Sequence, residues 1–435
     1  MKLTQKQGII LFGVILFIII AGVAFYFGVR TSSQSQKITL TAWGTDPKNI
    51  FDDMVTAYKT SGVQLTLSYT QIPAADYQNK LLNAFAAGTG PDFFEIGNRE
   101  LPKWQAVAAP IPAALSTSFN TAALQNDFPT AVGQDFVSGG QIYALPLDLD
   151  TLAMFYNKDL FDSAGIVYPP KTWDDFEADI PKLRVLNQQG QITQAAVAFG
   201  GSEASISNAP DLIFLLMLQN GTKMISADGT TAAFNANTAQ GTNPGLAAFN
   251  FYLQFANSAS PYYTWNDGLG DAVQNFIAGK TAMMFDYPVA ISQIKQKSPF
   301  LNFGVSAMPQ PTNATVDVNY PEYKGLAVAR ASRQITAAWQ FILYMTTNSA
   351  GEDVYARDTG DLPASRSYIA ANLNDPNYGV FAAQALTARS WHEADDAQID
   401  TIMNTAIQSV LNGSLDSTRA LGVAQNAVTT VMENR

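Results

Sequence analysis

The chain has no cysteine and a single histidine, His392. The first absence excludes disulfides, thiolate nucleophiles, Cys-ligated metals and a lipid carried on an N-terminal Cys. The second excludes metal sites built on His clusters and leaves a Ser-His-Asp site only His392 as its base. Charge is scarce too: Asp, Glu, Lys and Arg make up 14% of the 435 residues. Lys2, Lys6 and Arg30 all precede Ser32, so beyond that point 25 basic residues fall to 22 against 36 acidic ones, a net charge of −14. An acidic body argues against nucleic acid and against adsorption onto anionic lipid. Thr, Asn, Gln and Ser are plentiful, which suits a surface that bonds neutral polar groups.

Two tempting motifs fail. Gly279-Lys280-Thr281 looks like the end of a phosphate-binding loop, but position 274 is Gln, and a helix precedes it where a strand should. Gly200-Gly201-Ser202-Glu203-Ala204 lacks the last glycine of a nucleophile elbow.

What is present begins with an apolar run. Residues 9–29 contain no charge and are flanked by Lys2, Lys6 and Arg30. About 21 residues at a helical rise of about 1.5 Å match a bilayer core of roughly 30 Å. Lysines on the short N-terminal side predict a cytoplasmic N-terminus, with Phe25, Tyr26 and Phe27 at the interface. The alternative is a cleaved secretory signal, whose apolar region is ordinarily shorter and ends in an A-x-A-like site. Both routes export the remaining 400 or so residues, too many for one compact core, so two lobes are expected.

Past the polar linker 30–37, residues 38–43 alternate as a strand broken by Gly44. Asp46-Pro47 reads as N-cap and first helical residue, with Phe51, Val55 and Tyr58 on one face. A strand over 63–69, a helix over 77–87 closed by Gly88 and a strand over 93–96 complete βαβαβ, a parallel α/β sheet. The pattern restarts with a strand over 152–156 and a helix over 157–164. Thr172 and Asp175 then form a capping box. A helix over 268–278 ended by Gly279, strands over 282–285 and 326–329, a helix over 336–347 and a helical C-terminus from Ala394 follow.

These pieces resemble the extracellular solute-binding proteins of ABC importers, in the sugar-binding group that includes the maltose-binding type. The similarity runs in order through Ile38-Thr-Leu-Thr-Ala-Trp43-Gly44, Ala87-Gly-Thr-Gly-Pro91-Asp92, Tyr143-Ala-Leu-Pro146 and Tyr156-Asn-Lys-Asp-Leu-Phe161 with Ala164-Gly165. It continues through Pro169-Pro-Lys-Thr-Trp173, Phe276-Ile-Ala-Gly-Lys-Thr-Ala-Met283-Met284 and Ala338-Trp339-Gln-Phe341. The departure is the missing lipid-bearing Cys, with an apolar helix in its place.

The resemblance implies a two-lobed α/β fold of the periplasmic-binding-protein type II class, here preceded by one N-terminal transmembrane helix. The apolar run and its flanking lysines, not the resemblance, put residues 1–7 in the cytoplasm, 8–29 in the membrane (or as an uncleaved signal) and 30–37 as linker. One lobe would comprise 38–147 with 327–358, the other 148–326 with 359–435. Crossings between lobes are expected near 147–151, 324–330 and 359–363. The implied function is that of a monomeric, cell-membrane-anchored receptor that captures an oligosaccharide and hands it to ABC permease subunits, with no cofactor and no metal. A carboxylate-dependent glycoside hydrolase or lyase, using Asp148 and Asp150, is the alternative.

A sugar site needs flat aromatic surfaces for C–H faces and fixed carboxylates or amides for hydroxyls. Trp43 ends the first strand, where ligands of open α/β sheets bind; its competing role is packing between sheet and helix. Asp46 can cap a helix, contact ligand, or do both. Asn98, Arg99 and Glu100 follow the third strand, although Arg99 and Glu100 could be a solvated pair. Asp148 and Asp150 flank Leu149 and so point the same way. Tyr156 and Trp173 read as core. Asp286 and Tyr287 follow a strand end, and Tyr320 and Tyr323 precede the second crossing. The resemblance adds Asp150 as a hydroxyl acceptor, a polar loop around Glu203, an aromatic slot at Tyr287 and a stacking position at Trp391. The expected binding set is therefore Trp43, Asp46, Asn98, Asp150, Glu203, Asp286, Tyr287, Tyr323 and Trp391.

Overall fold

The computed structural model describes residues 38–434. The apolar run 9–29 lies outside them, and among the described residues no helix is long and apolar enough to cross a membrane.

Two sheets, each wrapped by helices, make two lobes. In the first, the strands Leu65–Gln71, Ile38–Gly44, Phe93–Gly97, Lys324–Ala329 and Ala108–Ala109 lie side by side in that order, with Ala144–Pro146 also paired to Lys324–Ala329. Ile38–Gly44 runs parallel to both neighbours, while Lys324–Ala329 is antiparallel to Phe93–Gly97. The sheet is thus mixed rather than parallel throughout, because a strand returning from the second lobe enters it from the opposite end. The alternation in Ile38–Gly44 buries Leu40 and Ala42. They face a core containing Phe51, Phe93, Trp104 and Trp339. Phe93–Gly97 has its apolar residues buried on both faces, as expected of a central strand.

The second lobe orders its strands Val185–Leu186, Ile192–Val197, Thr281–Asp286, Ala153–Asn157 and Phe303–Ser306. Its core is rich in rings: Phe199 lies 4.7 Å from Tyr252, 5.1 Å from Phe255 and 5.2 Å from Phe285, centroid to centroid. Thr172 caps the helix Trp173–Leu183 by accepting from the Asp175 N–H. The helices Asp396–Leu411 and Ser417–Glu433 close the lobe, as the helical C-terminal pattern predicts.

The lobes are joined by an antiparallel pair of crossing strands, Asp150–Thr151 with Pro321–Glu322. The third crossing differs from the expected one at 359–363. Leu362, Ala364, Ile369, Ala385 and Ala388 all belong to the first core, and Pro363 bridges to Asp148. The helix Gly379–Ala385 lies between the cores, with Ala382 and Ala385 in the first and Phe381 in the second, and Trp391 then belongs to the second. Residues 359–372 pack on the first lobe, where Arg366 donates to the Phe128 carbonyl at 2.8 Å and Ile369 joins the first core.

Truncating Phe199 should cost about 3–5 kcal/mol, since its ring is fully buried among rings that cannot collapse into the void. Denaturant unfolding of Phe199→Ala checks this; a change below about 1 kcal/mol would mean the second core is not packed as described.

Candidate functional site

A cleft of about 470 Å³ opens between the lobes. It lies at the carboxyl ends of Ile38–Gly44 and Phe93–Gly97, where open α/β sheets bind ligands. The first lobe contributes Thr45, Tyr77, Gln78 and Glu95 through Glu100. The crossing strands contribute Asp148, Asp150, Glu322, Tyr323 and Lys324, and the second lobe Tyr287, Val289 and Asp396.

Glu95 is a carboxylate inside an otherwise apolar strand, and its surroundings explain how it is tolerated. Oε2 accepts from the Thr45 N–H at 2.8 Å and the Thr45 hydroxyl at 2.9 Å, and the Tyr69 hydroxyl lies 3.3 Å from Oε1. Gly44 makes this possible: a Cβ there would sit 1.9 Å from Glu95 Oε1. Burial and then the nearby Asp46 carboxylate raise the Glu95 pKa, opposed by Lys324 and the Thr45 bonds. Lys324 donates to Asp46 at 2.7 Å and to the Thr45 hydroxyl at 2.8 Å, with Glu95 at 3.5 Å. Burial works against its charge, but Glu95 and Asp46 outweigh it and raise the Lys324 pKa.

The second cation, Arg99, enters from the first lobe and finds its partners on the other. It is only 4% exposed. Nη1 lies 3.0 Å from Glu393, 3.1 Å from the Tyr320 hydroxyl, and 3.5 Å from both Asp211 and Asp400. The Arg99 carbonyl accepts from the Glu393 N–H at 2.8 Å. Lys103 reaches Asp395 at 2.7 Å, and Gln78 donates to Asp396 at 3.3 Å.

Three carboxylates of the cleft have no such partner. Among the described residues, no other residue hydrogen-bonds or ion-pairs with the side chains of Asp148, Asp150 or Glu322. Burial, then neighbouring Asp361, pushes Asp148 up to about 8. Burial and Asp148 raise Asp150 well above the usual range, while Glu322 opposite it is exposed to solvent. Leu149 is buried between the two aspartates, so the alternation that aligns them on one side is real.

Of the nine residues expected from sequence, Asn98, Asp150, Tyr287 and Tyr323 line the cleft. Asp46 lies behind it on Lys324 and does not cap a helix: Lys48–Thr60 begins after Pro47 with no side-chain cap. Trp43 is half-buried against the first core, as its packing role requires, and only its carbonyl reaches inward, accepting from Tyr77. Asp286 stands off the lining and accepts from the Tyr287 N–H at 2.8 Å. Glu203 is also off the lining; its N–H donates to Asn404. Trp391 is off the lining and meets Phe214 edge-on at 5.5 Å within the second core. Arg99 and Glu100, which could have been a solvated pair, are both buried.

Sequence reasoning missed Gln78, Glu95, Glu322, Lys324 and Asp396. The signal for Glu95 was its place among Phe93, Phe94 and Ile96. No local pattern marks Asp396, which joins the site only when the lobes come together.

The raised Asp148 pKa fixes a sign. In the unfolded chain this group ionises near its ordinary value of about 4, while in the folded protein it holds its proton to about 8. Its contribution therefore falls as pH rises between those values and is constant beyond them. Asp148→Asn should raise stability by roughly 1–3 kcal/mol at pH 8 and by less at pH 5. Thermal unfolding at both pH values checks this, and an equal gain at both would contradict the assignment.

A family model for the bacterial extracellular solute-binding proteins matches residues 42–352. A binding protein of Brucella abortus (strain 2308), whose ligand its name does not give, is 25% identical over 390 residues, covering 87% of this chain and 88% of its own. The maltotriose-binding protein of Pyrococcus abyssi is 23% identical over 346 residues, 75% of this chain and 65% of its own. The sugar-binding protein MalE of Xanthomonas citri shares the fold at a TM-score of 0.75 and 20% identity, covering 91% of this chain and 98% of that one. These relatives are binding proteins and not enzymes, and nothing among them supports the hydrolase or lyase alternative. A two-lobed α/β body with a cleft between the lobes, matched over residues 42–352, makes this chain a member of the bacterial extracellular solute-binding protein family.

Proposed function

We propose that this protein is the substrate-binding receptor of an ABC importer, taking up a saccharide between its lobes and delivering it to the permease chemically unaltered. The observation that supports this most is the composition of the cleft: Tyr77, Tyr287 and Tyr323 beside carboxylates and amides. Rings supply surface for C–H faces, and the oxygens of Asp148, Asp150 and Glu322 are free to accept hydrogen bonds from hydroxyls. The sugar-binding names among the relatives favour the same ligand class.

The mechanism follows from the crossing strands. Among the described residues, Asp150–Thr151, Pro321–Glu322 and the segment from Gly379 to Trp391 join the lobes, so one lobe can rotate on the other about a short hinge. A ligand that touches both walls binds the closed form more tightly and shifts the population toward it. The apolar run 9–29, which takes the place of a lipid anchor in a chain without cysteine, would hold a monomeric receptor at the outer membrane face with its N-terminus in the cytoplasm. Tethering raises its effective concentration at the permease.

A thermal-shift screen over a broad panel of oligosaccharides should find one that raises the unfolding temperature, since a ligand specific for the folded state stabilises it. Calorimetry with that sugar should show Tyr287→Ala weakening binding by about 2 kcal/mol or more. A flat screen would remove the carbohydrate reading, and breakdown products after incubation would remove the receptor reading.

A further inference from the structure

The cations of the cleft are already taken. Arg99 is shared among Glu393, Asp211 and Asp400, and Lys324 lies against Asp46 and Glu95. Asp148, Asp150 and Glu322 are left with no positive partner among the described residues. Two of them are set directly against each other, since Glu322 and Asp150 are opposed residues in the antiparallel crossing ladder. Like charges so placed destabilise a sheet, and here they do so at the joint between the lobes. Other groups facing them add to the field: Asp361 and Asp46 bear on Asp148, and Asp211 and Asp396 on Glu322. Lys324 and Arg99 offset only part of it.

The missing counter-charge is not a metal ion in character, because no three acidic groups among the described residues converge closely enough to hold one. What fits carboxylates spread along a strand pair, inside a cleft of about 470 Å³, is a cation that donates several hydrogen bonds in different directions. A protonated primary amine does this, with three donors and a unit charge.

We infer that the saccharide bound by this protein carries at least one free amine, held as its ammonium between Asp150 and Glu322 at the hinge end of the cleft. The inference rests on the carbohydrate reading above and narrows it. It has a consequence for protons: Asp150, held protonated by burial and by Asp148, ionises when the ammonium arrives, so binding near neutral pH releases protons to buffer.

The test is titration calorimetry of the whole exported body with glucosamine oligosaccharides of two to four units, their fully N-acetylated counterparts, maltotriose and spermidine. The glucosamine series should bind on the order of tenfold or more tightly than its acetylated counterpart. The heat should differ between buffers of unlike ionisation enthalpy in the sense of proton release. Asp150→Asn, checked as folded by its melting temperature, should remove most of that preference. Equal or tighter binding of the acetylated sugars or of maltotriose overturns the inference and leaves the carbohydrate reading standing. Binding of spermidine with no saccharide bound overturns both, whereas no binding by any of these overturns the inference and leaves the carbohydrate reading to the broad oligosaccharide screen.

Discussion

The Arg99 side chain decides how the two halves of this protein face each other. It is a buried cation that leaves the first lobe and is satisfied only by groups carried on the second and on the segment that crosses to it: Glu393, Asp211, Asp400 and the Tyr320 hydroxyl. A buried charge without partners costs about 3–5 kcal/mol, so this cluster holds a lobe arrangement rather than merely decorating one. Three acids around one guanidinium overcompensate it. Burial therefore still pushes Asp400 up to about 8 and raises Glu393, even with Arg99 between them. The excess of negative charge at the hinge begins there and continues along the crossing strands to Glu322, Asp150 and Asp148.

That excess links stability to function. A fold could have placed apolar residues on the crossing pair Asp150–Thr151 and Pro321–Glu322. It instead keeps unpaired carboxylates on the floor of the cleft, and proteins retain such locally unfavourable groups mainly where a ligand completes them. The rest of the site is rigid by contrast. Glu95 is fixed by Thr45 and Tyr69 through a space that only Gly44 leaves open, and Tyr323 is fixed by its bond to Asp135 at 2.6 Å. A firm first wall and an electrostatically loaded hinge suit a receptor that must close on its ligand and then let it go.

Much of the fold was legible along the chain because it is written in short-range pattern. Alternation marked Ile38–Gly44, Thr172 marked the start of Trp173–Leu183, and Gly279 at φ +70° marked the end of the helix before Thr281–Asp286. The site was less legible because its members are assembled by tertiary pairing. Asp46 carries the signature of a cap, but the nearby Lys324 amine claims it. Trp391 has the composition of a sugar stacker in a polar run, yet Phe214 and the second core take the ring. Arg99 reads as half of a surface pair until Asp211, Glu393 and Asp400, from distant parts of the chain, surround it. The aspartates at 148 and 150 were found because strand alternation is local, whereas Glu322 opposite them depends on a ladder formed across most of the second lobe.

A crystal structure of the protein grown with its tightest-binding oligosaccharide bears most directly on this account. The sugar should lie between the lobes, intact, touching Tyr287 on one wall and the Asp150–Glu322 pair at the hinge. A sugar seated elsewhere on an unchanged protein, with the interlobe cleft filled only by water, would contradict it.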